Sequence, residues 1–201
     1  MTDAETLKTN INTSIQRYLQ TNLEKFDQKF RYSQLVQDID NTNTAIRNNK
    51  TIIKYQQRIT PAVFNTPATY NLYFNNALEK SSVLSTSFTG TDGFKYSLVD
   101  DSLGYIKAAR LDGDGAIVLP HIYLIQPDGG TNQGTIDYTI GTIVLNSFRP
   151  LAITDATSSI KLDVTPSHNN SDITPLREQI LTYDVTDTSA ISINMVAETI
   201  I

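Results

Sequence analysis

The chain has 201 residues, 39% hydrophobic and 18% charged, enough to bury one good core but short for two independent domains. Its 16 Lys and Arg against 21 Asp and Glu leave a net charge of -5, which supplies no counterion-release drive toward a phosphate backbone and argues against nucleic acid as a partner. The absence of cysteine excludes disulfides, thiol nucleophiles and thiolate metal ligands together.

Met1–Glu5 shows neither a basic nor an apolar leader region, and no later apolar run reaches the length of a membrane span, so a soluble, unsecreted protein is expected. The helical signal comes first. From Leu7 the apolar positions Leu7, Ile11, Ile15, Tyr18, Leu19 and Leu23 draw one stripe along a helix, with Thr2 or Asp3 as its cap. After a break at 25–29, Ser33 is the expected N-cap of a shorter helix carrying Leu35, Val36 and Ile39. Asp40-Asn41-Thr42-Asn43-Thr44 is turn material that ends the pair, because short polar side chains bond their own backbone there.

From Thr51 the periodicity changes to that of strands. Short β-rich runs are expected at 52–59, 68–74, 83–88 and 94–99, separated by Pro, Asn, Gly and Asp. Hairpin punctuation is clearest in the middle, where 105–111 and 117–125 flank Asp112-Gly113-Asp114-Gly115, and Pro127-Asp128-Gly129-Gly130 follows. Further strands are expected at 135–140 and 142–146 around Gly141, at 159–165 and at 178–185. In the closing stretch 190–197, Ile191, Ile193 and Met195 alternate with Ser192 and Asn194, the pattern of a strand with one wet face. The expected class is α+β: an N-terminal helical hairpin over 1–50, then a mostly antiparallel β-sandwich or open barrel over 51–201.

The residues that carry enzyme chemistry do not converge in the sequence. His121 and His168 are the two histidines and fit no zinc or triad spacing; His121 sits in an apolar run where a packed strand histidine is expected. Asp112-Gly113-Asp114-Gly115 resembles the start of a calcium loop but lacks the later oxygen ligands, so a β-turn is preferred. Asp128-Gly129-Gly130 and Gly141 lack the helix and Lys-Ser or Lys-Thr pair of a phosphate cradle. Asp100 and Asp101 are adjacent, so on a strand they face opposite ways and read as turn charges, not paired catalytic acids. No catalytic residue, metal or cofactor is therefore expected. Tyr55, Tyr70, Tyr73, Tyr105, Tyr123 and Tyr138 are amphipathic rings suited to contact, although half-buried sheet duty is the default for strand tyrosines.

A set of short stretches then takes on meaning by order and spacing. Phe30-Arg31-Tyr32-Ser33-Gln34-Leu35 with Ile39-Asp40-Asn41, Thr51-Ile52-Ile53-Lys54, 134–138 with 141–145, and 172–180 resemble the baseplate wedge protein of T4-like contractile-tailed phages, of the broader baseplate J group. The likeness runs from about Leu7 to Ile180, and members of that family are several times longer, so the chain resembles a C-terminal portion. What the resemblance implies is a non-catalytic structural subunit of the virion tail baseplate, assembled in the bacterial host cytoplasm. It would dimerise with itself, join neighbouring wedge proteins into a ring around the tail tube, and rearrange when the sheath contracts, with no nucleic-acid, membrane or small-molecule partner. The expected partner interface is the helix stripe and closing strand: Leu7, Ile11, Ile15, Tyr18, Leu19, Ile191, Ile193 and Met195. Rival readings are a carbohydrate-binding β-sandwich of a phage fibre or lectin type, which predicts aromatic rings exposed in a cleft, and a glycosidase, which needs two facing carboxylates in a pocket.

Overall fold

The computed structural model describes residues 3–25, 28–118, 133–153, 158–167, 172–175, 180–184, 187 and 190–196. The chain folds as two compact units, one formed by Met1–Thr51 with Ser171–Ile201 and the other by Ile52–Asn170.

In the first unit, helix α1 spans Ala4–Asn22 and helix α2 spans Tyr32–Asp40. The stripe that shapes α1 is buried at Leu7, Ile11 and Tyr18, and joins Leu23, Phe30, Leu35, Ile39 and Ile173 in a small core. Tyr18 is its pivot: the ring meets Phe30 edge-on at 5.8 Å, and the hydroxyl donates to the Arg31 carbonyl while accepting the Arg31 N–H, both at 2.9 Å. Ser14 adds a hydroxyl bond to the Asp38 carbonyl at 3.2 Å, tying α1 to α2.

Asp3 occupies the N-cap position of α1 without a side-chain cap bond, and α2 does not begin at Ser33. Its cap position is Arg31, and the Tyr32 N–H is taken by Asp172 Oδ1 at 3.0 Å from 140 residues away. A first-turn N–H needs an acceptor, and one delivered by the fold lets the helix start ahead of the local capping residue. Phe30 and Ile173 exchange both main-chain bonds, at 3.0 and 2.9 Å, so the segment near 173 is stapled to the helices as a two-residue bridge.

The second unit is a mostly antiparallel sheet, nearly closed like a barrel. Among the described residues its strands are β1 (Tyr55–Ile59), β2 (Ala68–Tyr73), β3 (Leu84–Ser85), β4 (Phe88–Thr89), β5 (Lys95–Asp100), β6 (Tyr105–Arg110), β7 (Gly134–Asp137), β8 (Thr142–Phe148), β9 (Ala152–Ile153) and β10 (Ile160–Val164). The path through it is β1-β10-β3-β5-β6-β7-β8-β2, with β4 joining β5 to β9. A single continuous sheet replaces the two-layer sandwich among the expected architectures. Its two path ends meet without a ladder: the Gln57 side-chain amide donates to the Tyr73 carbonyl at 2.7 Å, and Tyr55 stacks on Phe74 with centroids 6.3 Å apart.

Alternation explains which faces turn inward. Ile160, Leu162 and Val164 on β10, Ile143 and Leu145 on β8 and Ile106 on β6 are fully buried. On β8 the ladder to β2 slips between Ala68 and Tyr70, with Ser147 at φ 50°; this extra residue returns Phe148 to the interior. Phe148 there meets Phe88 edge-on at 5.1 Å, and Phe88 lies against Tyr96 at 6.2 Å, the aromatic centre of the core.

The expected strand at 83–88 is split in two. Ser85 Oγ accepts the Leu98 N–H at 2.7 Å and Thr86 Oγ1 accepts the Lys161 N–H at 3.0 Å, so hydroxyls take bonds that carbonyls would take in a continuous ladder. The run then resumes as β4 with β9 as a new neighbour. The stretch 190–196 carries no strand, and neither do the described residues of 178–185.

Burial gives this core a pH signature. The Tyr96 hydroxyl is pushed up from 10 to about 12 by burial, aided by its 2.6 Å bond to Asp92 Oδ2 and by that carboxylate's charge. A phenol whose folded pKa is raised stabilises the fold fully below pH 10 and loses that contribution as pH climbs through 12. This group should contribute a fall in unfolding free energy on the order of 2 kcal/mol over that window, and Tyr96→Phe should make the slope shallower in urea titrations at stepped pH.

Candidate interaction surface

The tempting carboxylates are structural. Asp112 Oδ1 accepts the N–H groups of Asp114 and Ala116 at 3.0 and 2.9 Å, and its carbonyl accepts the Gly115 N–H, closing a turn under the Leu111–Ile117 bridge. One oxygen thus serves the backbone as an Asx-turn acceptor, which is what the turn reading requires. Among the described residues no group of three His, Asp or Glu side chains is placed to hold a metal ion.

Asp100, the last residue of β5, and Asp101 just beyond it take separate sets of partners. Asp100 takes the Ser81 N–H, the Val83 N–H and the Tyr138 hydroxyl, at 2.6, 2.9 and 2.7 Å. Asp101 takes the Leu103 and Tyr105 N–H groups at 2.9 and 3.0 Å and pairs with Lys107 at 3.1 Å. Burial pushes the Asp101 carboxyl up, but those N–H donors and the Lys107 ammonium outweigh it and hold the group below the usual carboxylate range. Tyr138 is driven well above the ordinary phenol range, by burial first and then by its bond to Asp100. Both acids and the tyrosine are engaged in bonds that fix the β5–β6 turn.

A shallow groove of about 480 Å³ lies beside this turn, with Lys54, Lys80, Leu84, Val99 and Asp100 in its wall. A smaller polar notch in the first unit, about 270 Å³, is bordered by Lys29 and Arg31. Neither is lined by an aromatic ring, so the cleft that a sugar-stacking module needs is not formed at either place. Of the contact tyrosines, Tyr55 is buried and stacked, Tyr70 and Tyr138 are half-buried, and Tyr73 and Tyr105 stand exposed. His121, Tyr123, His168 and Asp128-Gly129-Gly130 lie outside the described residues.

Gly141 has φ 68°, and a Cβ there would come within 2.1 Å of the Asn76 carbonyl. A left-handed position against another backbone explains this glycine without any phosphate. The proposed interface residues divide into two sets. Leu7, Ile11 and Tyr18 are buried in their own unit, whereas Ile15, Leu19, Ile191, Ile193 and Met195 are half-buried. Half-buried apolar side chains along a helix and an extended stretch leave area for a further contact.

The comparison with known families bears directly on function. Residues 1–58 match the family "Baseplate structural protein gp6, C-terminal domain III". No curated protein matches the chain. The matched part spans both helices and all but the last residue of β1, and it supports a structural protein of a phage baseplate. It includes two of the stretches that carry the resemblance in the sequence, Phe30–Leu35 with Ile39–Asn41 and Thr51–Lys54. Among the described residues no helix is long and apolar enough to cross a membrane.

Proposed function

We propose that the chain is a structural subunit of a contractile phage tail baseplate, resembling the C-terminal portion of a wedge protein and carried in the virion tail. It works without catalysis, by self-association and by joining neighbouring wedge proteins into a ring around the tail tube that rearranges when the sheath contracts. The observation that carries this reading is the match of residues 1–58 to a baseplate structural family. The use of both acids and the tyrosine at the β5–β6 turn for structural bonds agrees with it.

In this reading the N-terminal helical hairpin and the closing stretch form the self-association face. Ile15, Leu19, Ile191, Ile193 and Met195 would supply its apolar contacts, and Leu7, Ile11 and Tyr18 support the helix from within. A part of this kind needs an interface with two arrangements of similar free energy, so that contraction shifts a population instead of breaking a fold.

Multi-angle light scattering tests the first step. The isolated chain should run at twice its 22.3 kDa mass, and Ile15→Asp with Leu19→Asp should return it to a folded monomer. A wild-type chain that stays monomeric across the micromolar range would count against self-association.

A further inference from the structure

The stretch 190–196 presents a contradiction between pattern and pairing. Its burial alternates residue by residue, with Ile191, Ile193 and Met195 half-buried and Ala190, Ser192, Asn194 and Val196 exposed, Val196 at 87%. That is the period of a strand. Yet among the described residues no main-chain hydrogen bond runs from Ile191 to Val196, and the stretch begins only with the Ala190 N–H on the Asp187 carbonyl. Six residues of strand-forming composition thus hold one apolar side against their unit and leave their N–H and C=O groups without a ladder. Such an edge is a template for another strand.

We propose that residues 190–196 pair antiparallel with the same residues of a second copy, about a two-fold axis at Ile193. This deepens, and rests on, the self-association reading above. The choice of a second copy follows from the sequence of the stretch. Proteins that avoid edge pairing place charges or proline there, and Ala190-Ile191-Ser192-Ile193-Asn194-Met195-Val196 contains neither. Two-fold pairing at Ile193 sets Ile191 opposite the partner's Met195 and Ser192 opposite the partner's Asn194, so each apolar residue meets an apolar one and each polar residue a polar one. Every opposed pair is compatible. A register slipped by one residue loses this match and sets polar residues opposite apolar ones, and a parallel pair would not close about a two-fold axis crossing the strands.

Ser192 and Asn194 are exposed in the single chain, so charges placed there leave its own packing intact. Two double variants of the full chain test the register by light scattering and sedimentation. Ser192→Lys with Asn194→Lys sets like charges opposite each other and should weaken the dimer by roughly a hundredfold or more, giving monomers with an unchanged circular dichroism spectrum. Ser192→Lys with Asn194→Glu sets Lys opposite Glu and should remain a dimer whose stability falls with added salt. Dimers in both variants would overturn the strand pairing while leaving self-association in place. Loss of the dimer in both would overturn this register. A monomeric wild type would overturn the pairing together with the reading on which it rests.

Discussion

Replacing Gly134 by Ala should lower the unfolding free energy by about 3 kcal/mol or more, read as a large drop in the urea midpoint. Gly134 opens β7 opposite Leu145 of β8, and it lies so close to the neighbouring strand that a Cβ would stand 2.0 Å from the Val144 carbonyl oxygen and 2.9 Å from the Leu145 Cα. Those are backbone atoms, which cannot rotate away like a side-chain tip. The variant must therefore part β7 from β8, and the separation reaches Ile136 and Ile143, which pair in the same ladder and are both buried. Gly113 is the control. It lies in the Asp112 turn with nothing within 4 Å of its would-be Cβ, so Gly113→Ala should shift the midpoint by at most a few tenths of a kcal/mol. Equal behaviour of the two variants would refute this account of the β7–β8 contact.

Phe88→Ala is expected to cost about 3–5 kcal/mol, because removing a wholly buried ring loses its transfer free energy and leaves a cavity that the surroundings only partly fill. Phe88 is 0% exposed and stands between Tyr96 and Phe148, with Tyr70 edge-on to Phe148 at 6.2 Å beyond them. Four rings from β2, β4, β5 and β8 thus share one cluster. Since β2 and β5 lie on distant parts of the strand path, a gap at Phe88 loosens the inside of the barrel across its width, not along one ladder. Phe88→Leu should recover more than half of the loss. A change under about 1 kcal/mol for Phe88→Ala would show that the cluster is not the centre of the core.

What the sequence made legible was governed by near neighbours in the chain. The α1 stripe, the Asp112 turn and the strand at 105–110 follow from periodicity and turn chemistry that act over a few residues, and the described parts agree with them. The expectation that Asp100 and Asp101 do not act as a pair agrees with their separate hydrogen-bond partners. What escaped was set by distant partners. The start of α2 depends on Asp172, the split at Thr86 depends on Lys161, and β10 is inserted between β1 and β3 by pairings spanning much of the unit. Local propensity carries no record of such bonds. The stretch 190–196 shows the same limit from the other side: its alternation is that of a strand, but a strand exists only where a neighbour accepts its bonds.

The candidate surface was less legible than the fold. Ile15 and Leu19 share one helical stripe with Leu7, Ile11 and Tyr18, and periodicity cannot separate the members that fill a core from those left half open. Burial makes that distinction. The tyrosines behaved likewise: Tyr55 and Tyr73 lie at the same seam, yet one ring is stacked inside and the other stands out in solvent.

The staple between Phe30 and Ile173 has a consequence for the order of events during synthesis. Helices α1 and α2 leave the ribosome early, but the residues that cap α2 and bridge Phe30 emerge some 140 positions later, after every strand of the second unit. The helices precede the sheet in the chain yet are completed after it, and the sheet can mature while the helices wait with Phe30 uncovered. Nascent chains shortened before Asp172 should accordingly show protected strand amides and unprotected helices, a sequence of maturation opposite to the direction of translation.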